Sequence, residues 1–378
     1  MSQLAHKIKI GVPKEIKNHE YRVGLTPGSV RELVHQGHQV YVQSGAGVSI
    51  DFTDALYQAA GATILPDAKS VYHIADMIVK VKEPQPNECL MLRADQTLFT
   101  YLHLAPDLEQ TKALMASKVT AIAYETVTDA AGRLPLLAPM SEVAGRLAIQ
   151  AGAHCLEKAC GGRGVLLGGV PGVAPANVVV LGGGVVGYNA IRMAVGMEAS
   201  VTVLDRSLNR LKELDDLFGS SLKTIYSTTD TLEEYITQAD LVIGAVLLPG
   251  AAAPKLITRA LLKKMKQGAV IVDVAIDQGG CCETSRPTTH ADPTYVEEGV
   301  VHYCVANMPG NAARTSTLAL NNATLPYVLT LARKGTVKAL QDDIYLRAGL
   351  NVMHGHLTCK AVADAHHLPY TAAESLLK

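Results

Sequence analysis

Four ionisable residues stand where an open α/β sheet places its chemistry. Lys82 directly follows the apolar run 76–81, His103 the run 96–102 and Asp277 the run 268–276. Arg22 lies in the loop beyond the first such run, within KNHEYRVGLTP. Ligands of parallel sheets sit outside the carboxyl ends of the strands, so all four are site candidates. Their types are complementary. An arginine grips a carboxylate through two parallel bonds, and a lysine stabilises charge on a carbonyl or amine. A histidine moves a proton near neutral pH, and an aspartate orients a water or the imidazole. Together they describe a site for a small molecule. Lys80, two residues before Lys82, is a poorer candidate.

A second pattern is VVVLGGGVVGYNAIRMAVG, residues 178–196, which places G-x-G-x-x-G on Gly182, Gly184 and Gly187. The context is a strand before, a helix after, and then a further strand ending in Asp205, 18 residues past Gly187. Gly182 permits the tight turn, Gly184 lets backbone N–H groups approach a pyrophosphate, and Gly187 lets helix and strand pack closely. Asp205 is placed to take ribose hydroxyls and would repel a 2′-phosphate, which predicts NAD over NADP. Arg206 beside it is the complication, since it could pair with such a phosphate. The first run, IGVPKE, has no such fingerprint. The cofactor is therefore expected on a second domain and the substrate on the first.

The elements that must position these residues follow from hydrophobic patterning. Strands are expected at 7–12, 38–43, 62–65, 76–81, 96–102 and 120–125, and again at 177–182, 200–205, 223–227, 239–246, 268–276 and 301–307, six in each set. Helices lie between them, the first starting at Pro27 behind a Thr26 cap. Ser141 is expected to cap a long helix after the joint LPLLAPMS, and the tail 313–378 reads as mainly helical. The fold class is α/β: two doubly wound Rossmann-like domains with an interdomain cleft. The substrate domain takes 1–135, completed by 313–378, and the NAD-binding domain takes 136–312.

At 378 residues, 48% hydrophobic and with 34 Lys+Arg against 35 Asp+Glu, the chain has no electrostatic pull toward nucleic acid or anionic membrane. The apolar stretch 241–254 is too short to span a bilayer. Seven cysteines without CxxC spacing suggest free, mostly buried thiols in a reducing compartment, hence the cytoplasm. Cys281–Cys282 reads as structural. HGHLTC (354–359) and His366–His367 have metal-like composition without carboxylate support, so no metal site is expected.

Several blocks resemble the family that joins the alanine dehydrogenases with the NAD-binding subunit of nicotinamide nucleotide transhydrogenase. They are GVPKEIKNHEYRVGLTP, VKVKEP, LHLA, LLAPMSEVAGR, VVVLGGGVVGYNA, DVAIDQGGC and VANMPG. The resemblance spans nearly the whole chain. It implies NAD-dependent, reversible oxidative deamination of L-alanine to pyruvate and ammonium. It assigns the substrate's carboxylate and carbonyl oxygen to Arg22 and Lys82, general acid–base work to His103, and a second catalytic role to Asp277. Ser141, Gly182, Gly184, Val186, Gly187, Asp205, Leu247 and Asn307 would meet the cofactor. It also implies a homohexamer. One departure is NAARTST after VANMPG, where the family is expected to be less alanine-rich. Two alternatives stay open: a transhydrogenase-type subunit passing hydride to a partner protein, and a non-catalytic NAD-binding regulator.

Overall fold

The computed structural model describes residues 7–246 and 253–378. It divides into two units, Met1–Pro139 with Ala313–Lys378, and Met140–Ala312. Among the described residues no helix is long and apolar enough to cross a membrane.

The first unit opens with β1 (Lys9–Val12), β2 (Gln39–Gln43), β3 (Thr63–Leu65), β4 (Met77–Val79), β5 (Thr97–Thr100) and β6 (Thr120–Ala123). They are parallel and lie in the order β3-β2-β1-β4-β5-β6. The order reverses at β1, so the crevice between β1 and β4 is the switch point where such sheets bind ligands. β4, β5 and β6 are buried throughout. That is why each reads as an apolar run rather than an alternation. The helix Pro27–His35 starts as the sequence suggests, with Thr26 Oγ1 accepting from Ser29 N at 3.2 Å and proline in the first turn.

The second unit repeats the plan. Its strands are β7 (Asn177–Leu181), β8 (Ser200–Asp205), β9 (Leu222–Tyr226), β10 (Leu241–Gly244), β11 (Val270–Asp273), β12 (Thr294–Glu297) and β13 (Val300–Tyr303). The parallel order is β9-β8-β7-β10-β11-β13, with β12 antiparallel on the outer edge. Its switch point lies between β7 and β10. In the tail, β14 (Leu350–Met353) and β15 (His356–Leu357) join the first sheet, with β14 antiparallel to β6.

Three expectations need correction. The second sheet has a seventh strand, β12, whose half-exposed TYVE carries no buried apolar run. The tail is mainly helical but also supplies β14 and β15. The long helix is Ala138–Cys155, so Ser141 lies inside its first turn and does not cap it. Pro139 explains the earlier start, because proline fits a first turn whose N–H groups have no helical partner.

Candidate active site

In the first sheet β1, β4, β5 and β6 are consecutive, and beyond their carboxyl ends come Arg22, Lys82, His103 and Glu125. Arg22 is buried, with a side chain 2% exposed. Its Nε and Nη2 donate to the two carboxylate oxygens of Glu20, each at 2.6 Å, and its backbone N–H donates to Glu20 Oε1 at 3.1 Å. Burial alone would disfavour the charge, but the bonds to Glu20 outweigh it and keep the guanidinium ionised. The chain then presses onto the end of β4: a Cβ on Gly24 would meet Val79 O at 2.4 Å. Only glycine allows that approach. The helix Ala313–Lys334 braces the loop from the other side, with Asn321 Nδ2 donating to Gly24 O at 2.9 Å.

Lys82 is fixed through its backbone. Glu15 Oε1 accepts from Val81 N at 2.7 Å and Lys82 N at 3.3 Å, while Glu15 Oε2 takes Lys80 Nζ at 2.9 Å. Lys80 also donates to Glu88 at 2.8 Å and is fully buried. It is therefore an internal brace, consistent with its poorer standing as a site residue. The Lys82 ammonium lies 4.0 Å from Glu83 Oε2, and Lys17 pairs with the same carboxylate. Burial would raise the Glu83 pKa, but Lys82 and Lys17 together hold it below the usual carboxylate value.

His103 is exposed and has φ +49°, a left-handed backbone that non-glycine residues seldom adopt. Glu125 Oε1 accepts its N–H at 2.6 Å and that of Leu102 at 3.1 Å. The imidazole stacks on Tyr101, with ring centroids 5.8 Å apart and planes at 14°. Tyr101 is itself locked, its buried hydroxyl donating to Leu136 O at 2.6 Å. A cavity of 280 Å³ in this unit is lined by Asp76, Thr97 and Thr120 among others. It opens at the amino ends of the strands, opposite this edge.

In the second unit the glycine turn follows β7. Gly182 has φ +94°, and a Cβ on Gly187 would meet Gly182 O at 1.9 Å. A Cβ on Gly184, just before the helix Val185–Gly196, would meet nothing within 4 Å. The turn therefore leaves open space at a helix N-terminus, which fits a pyrophosphate. Asp205, at the end of β8, accepts from Gly183 N at 2.7 Å and Ser207 N at 2.8 Å. These bonds hold its carboxylate beside the turn, where a ribose would lie. Val186 is part-buried in the first turn of the helix.

The remaining residues sit at the same edge of the second sheet. β11 ends at Asp273 rather than 276, so Asp277 stands four residues on, exposed in the 3₁₀ turn Val274–Gln278. Asp273 shapes that turn: it is fully buried and accepts from Cys281 N at 2.8 Å and Ser285 Oγ at 2.5 Å. Asn307 lies beyond β13 at φ +62°, its carbonyl accepting from His290 Nε2 at 3.2 Å. Ser141 is half-buried in its helix. Leu247 lies outside the described residues.

Family models match both parts of the chain: "Alanine dehydrogenase/PNT, N-terminal domain" over residues 11–144 and "Alanine dehydrogenase/PNT, C-terminal domain" over residues 148–360. The chain belongs to the alanine dehydrogenase/PNT family. An alanine dehydrogenase of Halomonas elongata is 63% identical, covering 98% of this chain and 100% of that protein. One from Bacillus subtilis is 55% identical, covering 98% and 97%. A solved L-alanine dehydrogenase superposes with a TM-score of 0.92 at 54% identity, over 95% of this chain and 99% of that one. A transhydrogenase from Sinorhizobium meliloti is more distant, with a TM-score of 0.80 at 25% identity, over 92% and 99%. In this member of the alanine dehydrogenase/PNT family, the residues that sequence reasoning missed are the carboxylates behind the candidates: Glu20, Glu15 and Glu125. Glu20 is two residues from Arg22 and was open to notice. Glu15 and Glu125 act across sequence separations that no local pattern displays.

Proposed function

We propose that this protein catalyses the reversible oxidative deamination of L-alanine to pyruvate and ammonium with NAD. The observation that carries the reading is near-full-length identity of 63% to an alanine dehydrogenase. The convergence of Arg22, Lys82 and His103 on one sheet edge supports it. When bound, NAD supplies the acceptor for the hydride leaving the α-carbon. Gly182, Gly184 and Gly187 would cradle its pyrophosphate, and Asp205 its adenine-side ribose.

Arg22 holds the substrate carboxylate, and Lys82 stabilises charge on the oxygen or nitrogen at the α-carbon. Hydride loss leaves an iminium at that carbon. His103 takes a proton from the water that adds there and returns it to the nitrogen. As the C–N bond breaks and ammonia departs, His103 takes the remaining hydroxyl proton and the oxygen becomes the pyruvate carbonyl. Asp277 is the second catalytic residue and orients the water. The same reading carries a homohexamer working in the cytoplasm, the former measurable by light scattering of the purified protein.

The test is loss of NADH absorbance with pyruvate and ammonium and no second protein. Turnover supports the proposal. NADH binding without turnover would leave a regulator, and hydride transfer only with a partner's NADP would leave a transhydrogenase-type subunit. His103→Ala should lower turnover about 10²–10⁴-fold with NADH binding retained. Unchanged turnover would remove His103 from the mechanism.

A further inference from the structure

The helix Ala138–Cys155 ends in a tight reversal. Gly162 N donates to Glu157 O at 3.0 Å and Gly164 N to Leu156 O at 2.8 Å. Gly161 has φ +84°, and a Cβ on Gly162 would lie 2.2 Å from Cys155 O. The reversal carries Cys160 back over the helix end. There Cys160 Sγ lies 3.5 Å from His154 Nε2, and His154 Nδ1 lies 3.3 Å from Glu157 Oε1. The histidine is 68% exposed and the glutamate 59%, and the thiol is part-exposed. None of the three belongs to the site described above.

We infer that Cys160 is a reactive thiol and a modification site for low-molecular-weight disulfides and soft electrophiles, with His154 as its base. A nucleophile within hydrogen-bond reach of an imidazole, itself oriented by a third group, is the arrangement that activates nucleophiles. With Glu157 on Nδ1, that nitrogen carries the hydrogen and Nε2 has the lone pair facing sulfur. In the reaction with a disulfide, the Cys160 proton passes to His154 Nε2 and the sulfur attacks one sulfur of the reagent. The reagent's S–S bond breaks, a mixed disulfide forms on Cys160, and the other half leaves as thiolate. The protein thiol is oxidised, and the departing half of the reagent is reduced.

The other cysteines differ. Burial pushes the thiols of Cys89, Cys155 and Cys304 up to about 11, and raises those of Cys281 and Cys282 as well. Cys359 is part-exposed, and among the described residues no imidazole is hydrogen-bonded to its sulfur. The three side chains at 154, 157 and 160 are also metal-ligating types. Here, however, the ring turns one nitrogen to each neighbour, and a single ion can take only one of them. The geometry is that of a proton relay rather than a chelate.

The test is limited labelling of the intact protein with iodoacetamide and, separately, with oxidised glutathione, read by peptide mass spectrometry. Cys160 should be modified first, at least about tenfold faster than Cys359, and His154→Asn should slow it by a similar factor. Glu157→Gln should slow it less. All three positions are on the surface, so circular dichroism and NADH binding should stay those of the unmodified protein. Equal labelling of Cys359, or an unchanged rate in His154→Asn, would overturn the proposal. So would one zinc ion bound per chain from zinc chloride and lost in His154→Asn, with no preferential labelling of Cys160 after chelation.

Discussion

The backbone N–H of His103 donates to Glu125 Oε1 at 2.6 Å while His103 holds a left-handed φ of +49°. Left-handed backbone costs a non-glycine residue roughly 1–2 kcal/mol. A hydrogen bond to a charged group contributes about 1.5–3 kcal/mol, enough to offset it. The carboxylate after β6 therefore sets where the imidazole after β5 points.

Glu125→Gln removes the charge and turns an amide N–H₂ toward the N–H of Leu102 or His103. Turnover should fall roughly 10–100-fold, because small misplacements of a reacting group are that damaging. The Michaelis constant for pyruvate and the affinity for NADH should hardly move. Steady-state kinetics with NADH fluorescence titration separate these quantities. A pure loss of stability with kcat intact would show that Glu125 does not act through His103.

The Arg22–Glu20 pair makes a similar demand on the design of its test. Removing one partner of a buried ion pair destabilises a fold by about 3–5 kcal/mol, so Arg22→Met alone confounds binding with folding. Arg22→Lys keeps the charge and loses the fork. It should raise the pyruvate Michaelis constant about 30-fold or more while NADH binding stays unchanged. The paired variant Arg22→Met/Glu20→Gln, which leaves no buried unpaired charge, should keep near-native melting and show the same binding defect. Pyruvate binding that survives in both variants would take the substrate carboxylate away from Arg22.

Much of this architecture is legible in the sequence because parallel strands covered on both faces, such as β4 and β10, are apolar along their whole length. The glycine turn is legible for the same kind of reason: at Gly187 a side chain would collide with Gly182 O. The hidden parts depend on long-range pairing. β12 and β15 lie at sheet edges, and their mixed exposure erases the periodic signal. β14 is buried only because it meets β6 more than two hundred residues earlier in the chain. Glu125 looks like any polar residue after a strand until its partner, 22 residues away, is seen. Ser141 misled because a serine before an apolar helix resembles a cap, whereas the helix had already begun at Ala138.

Cofactor preference turns on Asp205, and the bond to Gly183 N refines the test. Asp205→Ala would remove both the repulsion of a 2′-phosphate and the anchor of the glycine turn. Asp205→Asn keeps an oxygen that can accept from Gly183 N and removes the charge, losing only the bond from Ser207 N. The ratio of NADPH to NADH use should rise roughly tenfold or more, as expected for relieving a like-charge contact near the surface. Arg206, exposed beside it, would add to the gain. Initial rates with the two cofactors measure the ratio, and an unchanged ratio would place the carboxylate away from the ribose.

The last prediction concerns stability and pH, and it rests on His302. This histidine is fully buried in β13, where Nδ1–H donates to Val300 O at 3.0 Å and Nε2 accepts from Thr284 Oγ1 at 2.8 Å. Its ring stacks on Tyr295 at 4.9 Å. Both nitrogens are thus committed to the neutral form. Burial lowers its pKa below 6.5, and Arg286 acts in the same direction, against the opposing pull of the Val300 carbonyl, Glu297 and Asp273. The folded protein therefore refuses a proton that the unfolded chain accepts. Above the unfolded value the group contributes no pH dependence. As pH falls through about 6.5 toward the folded value, stability is lost at up to about 1.4 kcal/mol per pH unit. In a unit of this size each kcal/mol corresponds to roughly 2–4 °C in melting temperature. Calorimetry at pH 7.5 and 5.5 should show a fall in the melting of the second unit that shrinks by several degrees in His302→Gln. Glutamine can still donate to Val300 and accept from Thr284 but does not titrate. Equal falls in the two proteins would show that protonation of His302 is not what destabilises this unit in mild acid.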